Sequence, residues 1–132
     1  MSASENVAIV KQLYQAIEQS DRTLISPFLT EDIQWYGLTL NQGVEAKRLQ
    51  GVQEIIDFFD VADRVLQRNW FPETLLPQGE HQVVVLGKGE YTSKLTDYRF
   101  EDDWIHLFTL KNGQISEFRA YLNAVTLLAI SS

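Results

Sequence analysis

Residues 82–122 read QVVVLGKGEYTSKLTDYRFEDDWIHLFTLKNGQISEFRAYL, and this stretch decides the fold. Residues 82–95, 100–110 and 114–122 are three runs of strand-forming side chains. Thr96-Asp97 and Lys111-Asn112-Gly113 separate them with turn chemistry. Asn-Gly is the strongest of these signals, because both residues accept the positive φ that a tight hairpin demands. Gly87 and Gly89, inside the first run, predict a bulge or a sharp curl. Alternation in the second run places Trp104, His106, Phe108 and Leu110 on one face, with Asp103, Ile105, Leu107 and Thr109 on the other. In the third run Phe118, Ala120 and Leu122 oppose Glu117, Arg119 and Tyr121. Both faces are largely apolar. One is expected to meet helices and the other a second copy, which makes a homodimer through the outer sheet face the expected assembly.

Toward the N-terminus, residues 70–76 form a further strand ahead of the turn Pro77-Gln78-Gly79. Helical periods precede it. Ser2 and Glu5 fit a capping box for a helix with Val7, Val10, Leu13, Tyr14 and Ile17 on one stripe. Asp21 caps a shorter helix carrying Leu24, Ile25, Phe28 and Leu29, which Pro27 limits to little more than two turns. Ile33-Gln34-Trp35-Tyr36 is a short strand ended by Gly37. Residues 38–50 show no clean period and are expected to be a loop of the length that serves as a lid. Gly51 starts a third helix, with Val52, Ile55, Ile56, Phe59, Ala62 and Leu66 on its apolar stripe. Helices first and a β-meander after give an α+β fold, its helices on one face of a curved, mostly antiparallel sheet.

The 132 residues suit a single domain over 1–132, and 45% hydrophobic content supplies its core. Eighteen acidic against 11 basic residues leave a net charge of −7, which disfavours nucleic acid and anionic membrane surfaces as partners. There is no cysteine, and no apolar run approaches the ~20 residues of a membrane span. The polar start MSASEN lacks a signal-peptide pattern, so a cytoplasmic location is expected.

His106 is the leading candidate for chemistry. Among aromatics on a strand face, desolvation favours its neutral form, a hydrogen-bond donor or base. The alternative is a core histidine satisfied by a backbone carbonyl. Trp35, Phe59, Trp70 and Trp104 suit the walls of a pocket for a flat apolar ligand, with plain core packing as the alternative. No metal site is expected: Asp102 and Asp103 point to opposite faces, His81 is the other histidine, and thiolates are absent. Asp57, Asp60 and Asp63 read as a solvated helix face. Gly87-Lys88-Gly89 has no helix after it, so the dinucleotide fingerprint fails, and no cofactor is expected.

The order of motifs carries a resemblance. Leu13-Tyr14-Gln15-Ala16 leads to Asp21, then to Phe28-Leu29-Thr30-Glu31-Asp32-Ile33-Gln34-Trp35. Gly51-Val52-Gln53-Glu54-Ile55-Ile56-Asp57-Phe58-Phe59 and Val83-Val84-Val85 with Gly87 follow. Trp104-Ile105-His106-Leu107-Phe108, Asn112-Gly113-Gln114-Ile115 and Phe118-Arg119-Ala120-Tyr121 complete the series. Nearly the whole chain resembles the SnoaL-like group of the nuclear transport factor 2-like superfamily, alongside ketosteroid isomerases and SnoaL-type polyketide cyclases. The resemblance implies a cone: a curled sheet wrapped around three helices of the N-terminal half, a pocket at its open end, and a homodimer. It does not fix a reaction, because one such fold hosts many.

The acids of those relatives are missing. On the isomerase pattern Leu13 stands at the tyrosine, Gly37 at the base and His106 at the second acid. On the cyclase pattern His106 matches, but Ala120 stands at the acid. Arg119 matches the group's Phe-Arg pair and, on the other face, takes a structural or interface role.

Three readings remain open. One is a binder of a small, apolar, oxygen-bearing molecule, with Trp35, Phe59, Trp104 and Phe118 as walls and His106 as polar anchor. The second is an isomerase- or cyclase-type enzyme moving a proton next to a carbonyl, with His106 as base or donor. It needs a second polar group: Tyr91, Tyr14 or an acid of residues 38–50. The third is an interaction domain whose function is its apolar outer face.

Overall fold

Ser2 begins the first element by accepting the Glu5 N–H at 3.2 Å, while its hydroxyl donates to the Glu5 carboxylate. Helix α1 (Ala3–Ile17) follows, burying Val10, Leu13, Tyr14 and Ile17. The Asp21 carboxylate accepts from the Thr23 N–H and hydroxyl, capping a 3-10 helix over Arg22–Phe28. Pro27 lies in that helix, where the tighter turn replaces the short α-helix expected. In this computed structural model residues 2–19, 21–40 and 44–122 are described, without the side chains of 37–40, 44–47 and 122.

The described residues form six strands, β1 (Leu29–Leu40), β2 (Val44–Gln50), β3 (Leu66–Gln78), β4 (Gln82–Ser93), β5 (Arg99–Lys111) and β6 (Gln114–Leu122), with α2 (Val52–Val65) between β2 and β3. They form one sheet of order β2-β1-β6-β5-β4-β3. β1 and β6 run parallel and every other neighbouring pair is antiparallel. This is the expected α+β arrangement of helices on a curved, mixed sheet. Asn112 and Gly113 take φ of 52° and 79°, the two positive angles their hairpin requires.

Two expectations are corrected. Of the expected loop over 38–50, residues 41–43 lie outside the described residues and the rest is strand: β1 continues to Leu40 and β2 pairs with it from Leu40↔Val44 to Gln34↔Gln50. As an edge strand β2 contacts one neighbour only, and charged residues such as Glu45, Lys47 and Arg48 are normal there, which hid its period. The idea of an acid from this segment beside His106 concerns Glu45, whose side chain lies outside the described residues. Leu66 is also not on the third helix; it opens β3, which begins before the expected Trp70.

The inner face of the sheet carries the core. Val83 and Val85 of β4, Trp104, His106 and Phe108 of β5, and Phe118 of β6 are buried there against Leu13, Ile55 and Phe59 of the helices. The expected alternation of β5 holds. Its outer face leaves Ile105 44% exposed, between Leu86 of β4 and Tyr121 of β6 in one row across the sheet. Of the bulge or curl expected at the two glycines, the register shows an irregularity on the partner strand opposite Gly87, between Pro72 and Thr74 of β3, while Gly89 pairs regularly with Trp70. No described helix is long and apolar enough to cross a membrane.

Candidate functional site

His106 occupies the middle of the inner face and is 1% exposed. Val85 and Ala120 stand across from it on β4 and β6, so neither neighbouring strand crowds the imidazole with an aromatic directly opposite. Tyr14 of α1 reaches it instead, its hydroxyl 2.7 Å from His106 Nδ1. The Trp104 indole stacks on the imidazole with ring centres 3.9 Å apart and planes 13° apart. Trp70 and Phe118 meet the ring edge-on, both at 4.8 Å.

Burial, reinforced by the charge of Arg68, holds the His106 imidazole pKa well below its ordinary value. Burial likewise drives the Tyr14 phenol well above its own. Both partners are therefore neutral near pH 7. A neutral imidazole has one N–H and one lone pair, and a hydroxyl at Nδ1 satisfies either tautomer. The pair is a short hydrogen bond between two uncharged groups, sealed by aromatic rings.

Tyr14 also forms part of the wall of a cavity of about 350 Å³ at the end of α1, with Ile17, Arg22, Arg68, Asn69 and Trp70. His106 stands behind Tyr14 and is not itself in that wall. The Phe59 ring supports two guanidinium groups, Arg22 at 5.4 Å and Arg68 at 4.8 Å, and Arg68 lies a further 4.7 Å from the Trp70 ring centre. Asp63 of α2 accepts hydrogen bonds from Arg22 Nε at 2.8 Å and from Arg22 Nη2, and lies 3.9 Å from Arg68. Burial lowers the Arg68 pKa to about 10, against the opposing pull of Asp63.

Farther along the inner face, the Tyr91 hydroxyl and the Asp102 carboxylate share the space over Gly89, where a Cβ would strike both. Burial and the facing Asp102 push the Tyr91 phenol upward. Among the described residues no three His, Asp or Glu side chains converge to hold a metal ion.

No family model and no curated protein sequence matches the chain. Solved structures do. An NTF2-like protein from Burkholderia xenovorans superposes with a TM-score of 0.85 at 24% identity, over 100% of this chain and 99% of that one. The chain has the nuclear transport factor 2-like fold. A candidate polyketide cyclase from Xanthomonas campestris superposes at 0.82 with 19% identity, covering 98% of each chain. TerC, co-crystallised with polyporic acid, superposes at 0.79 with 21% identity over 96% of this chain and 98% of its own. The resemblance read from the ordered motifs is thus borne out at the level of fold.

On this nuclear transport factor 2-like frame the expected site residues separate into three groups. His106, Tyr14 and Trp104 come together in one stack, joined by Trp70. Trp35 stacks on Phe118 at 3.8 Å with Phe59 edge-on at 5.8 Å, and all three are buried in the core beside that stack. Tyr91 stands across from Arg68 in the β3–β4 register, its phenol beside Trp70 and Asp102, and lines a second groove with Asn69 and Phe100. Asp63 does not belong to a solvated acidic face, because Arg22 and Arg68 claim it. Arg68 is the functional candidate that sequence reading misses. An isolated arginine between Gln67 and Asn69 carries no motif, and strand parity with Trp70 is the one signal that would have placed it inward.

Proposed function

We propose that the protein binds a small, largely apolar, oxygen-bearing molecule in the cavity beside Tyr14, Trp70 and Arg68, with His106 as the buried anchor of the site. The observation that carries this reading is the Tyr14–His106 hydrogen bond at the cavity wall. With the proton on Nδ1, His106 donates to the Tyr14 oxygen and fixes the phenol, whose own O–H is then left to donate to a ligand carbonyl. Trp70 offers a flat wall, while Trp35, Phe59, Trp104 and Phe118 hold the stack in place from behind. TerC, of the same fold, was co-crystallised with polyporic acid, which supports an aromatic, oxygen-bearing ligand class. A thermal-shift panel of aromatic ketones and quinones tests it. At least one member is expected to raise the melting temperature of the wild type, with about 10-fold weaker binding by Tyr14→Phe, the loss of one hydrogen bond. A panel that leaves the wild type unmoved sinks the reading.

The same hydrogen bond favours a second reading, an isomerase- or cyclase-type reaction in which a proton moves next to a carbonyl. Tyr14 and His106 are two adjoining titratable groups, as that chemistry requires, and positioned acid–base groups contribute ~10²–10⁴-fold. Exchange of the proton α to the carbonyl of a bound ketone into deuterated water, followed by NMR, separates catalysis from binding alone. A homodimer through the outer sheet face and a cytoplasmic location complete the proposal. The half-exposed Leu86, Ile105 and Tyr121 row supports the first, and a composition free of cysteine is compatible with the second.

A further inference from the structure

Arg68 is a cation whose one ion pair among the described residues, with Asp63, is long and shared. Its side chain is 10% exposed, its Cζ lies 4.8 Å and 4.7 Å from the ring centres of Phe59 and Trp70, and the guanidinium makes no hydrogen bond among the described residues. The nearest carboxylate oxygen is Asp63 Oδ1 at 3.9 Å, beyond hydrogen-bond reach. Asp63 is already engaged by Arg22 Nε and Nη2, while Arg22 Nη1 donates to the Ile17 carbonyl. One carboxylate thus serves two guanidinium groups, and Arg22 has the closer share. Desolvation by two rings and repulsion from Arg22 both work against the Arg68 charge. Contacts with aromatic rings do not use up the five N–H donors of a guanidinium, which remain to meet an anionic oxygen. That side chain lines the cavity together with Tyr14 and Trp70. Glu18, the cavity's acidic residue, is exposed at the end of α1, where water screens it.

We infer that the ligand of this cavity is an anion, an aromatic carboxylate, enolate or phenolate, and that Arg68 is the residue that selects its charge. The inference rests on the binding reading above and narrows it to an acidic class of molecule. The Tyr14 hydroxyl would meet the same ligand's oxygens from the opposite wall, and Trp70 its ring.

Two probes of one shape decide it: 2-naphthoate and its neutral counterpart 2-naphthamide, titrated by quenching of tryptophan fluorescence. In the wild type 2-naphthoate is expected to bind at least 10-fold tighter than 2-naphthamide. Arg68→Gln should weaken 2-naphthoate by roughly 10–100-fold, the range of a charge-assisted hydrogen bond, and bring the two probes level. Arg68→Lys should keep part of the preference, and Tyr14→Phe should weaken both probes alike. Equal binding of the two probes by the wild type overturns the inference and leaves the binding reading standing. A preference that survives in folded Arg68→Gln also overturns it. If neither probe binds the wild type, both the inference and the binding reading fall. The wild-type comparison decides even if Arg68→Gln does not fold.

Discussion

A neutral imidazole sealed under a tyrosine ties stability to pH in one direction. The unfolded chain exposes His106 at its ordinary pKa of 6.5, and folding depresses that value well below. Between the two values the unfolded state holds the extra proton, so the stabilisation is full above pH 6.5 and is lost as pH falls toward the folded-state value. The loss is at most ~1.4 kcal/mol per pH unit for one group. Urea midpoints measured from pH 7 to 5 should fall for the wild type, and the His106→Gln variant should show a shallower decline. An identical decline in both would mean that other groups set the slope. At this scale the sequence marked His106 and offered Tyr14 as one of several partners for it, but could not choose among them. Tyr14 and His106 are 92 positions apart, and nothing local announces their hydrogen bond. Arg68 was less legible still, since its environment comes from Phe59 on a helix and Trp70 on its own strand.

At the scale of the element, β4 owes its glycines to the side chains of β5 and to its own Tyr91. A Cβ at Gly87 would overlap the Trp104 ring and crowd the Phe71 carbonyl, and Trp104 is itself 2% exposed, with nowhere to retreat. Gly87→Ala is therefore expected to destabilise the fold by ~1–3 kcal/mol or more, with a changed near-ultraviolet circular dichroism as the indole shifts. Gly79→Ala is the comparison. A Cβ there meets nothing within 4 Å, and its φ of +63° costs only ~1–2 kcal/mol. Chemical denaturation that ranks Gly79→Ala as the more damaging change would contradict this account of the inner face. The strands with an apolar face, β4 to β6, were legible from alternation and Asn112-Gly113. β2 was not, because pairing on one side only relaxes the demand for a pattern.

For the whole molecule, the outer face is the matter to resolve. Leu86, Ile105 and Tyr121 lie in register across β4, β5 and β6 at 39%, 44% and 50% exposure, beside Arg119 over the Tyr36 ring at 4.5 Å. If a second copy covers this row, sedimentation equilibrium of the wild type should give twice the 15.2 kDa mass of the chain. Ile105→Lys should return the monomer mass with unchanged far-ultraviolet circular dichroism. A wild type that sediments as a monomer at high micromolar concentration would remove the dimer from the proposal. The fold itself was readable at this scale because the order of weak motifs adds up along nearly the full chain. The cavity was not, since it lies between the end of a helix and an edge strand, and no contiguous segment contains it.

The parallel pairing of β1 with β6 has a consequence for how the protein is made. Trp35 meets its neighbour Phe118 only after almost everything between them has left the ribosome. The β1–β2 hairpin and the β3–β5 meander can each form early, yet they remain two unjoined half-sheets with bare edges until β6 is synthesised to bridge them. During translation the aromatic residues that later enclose His106 have no common interior to enter, and the nascent chain must carry them in the open until β6 arrives.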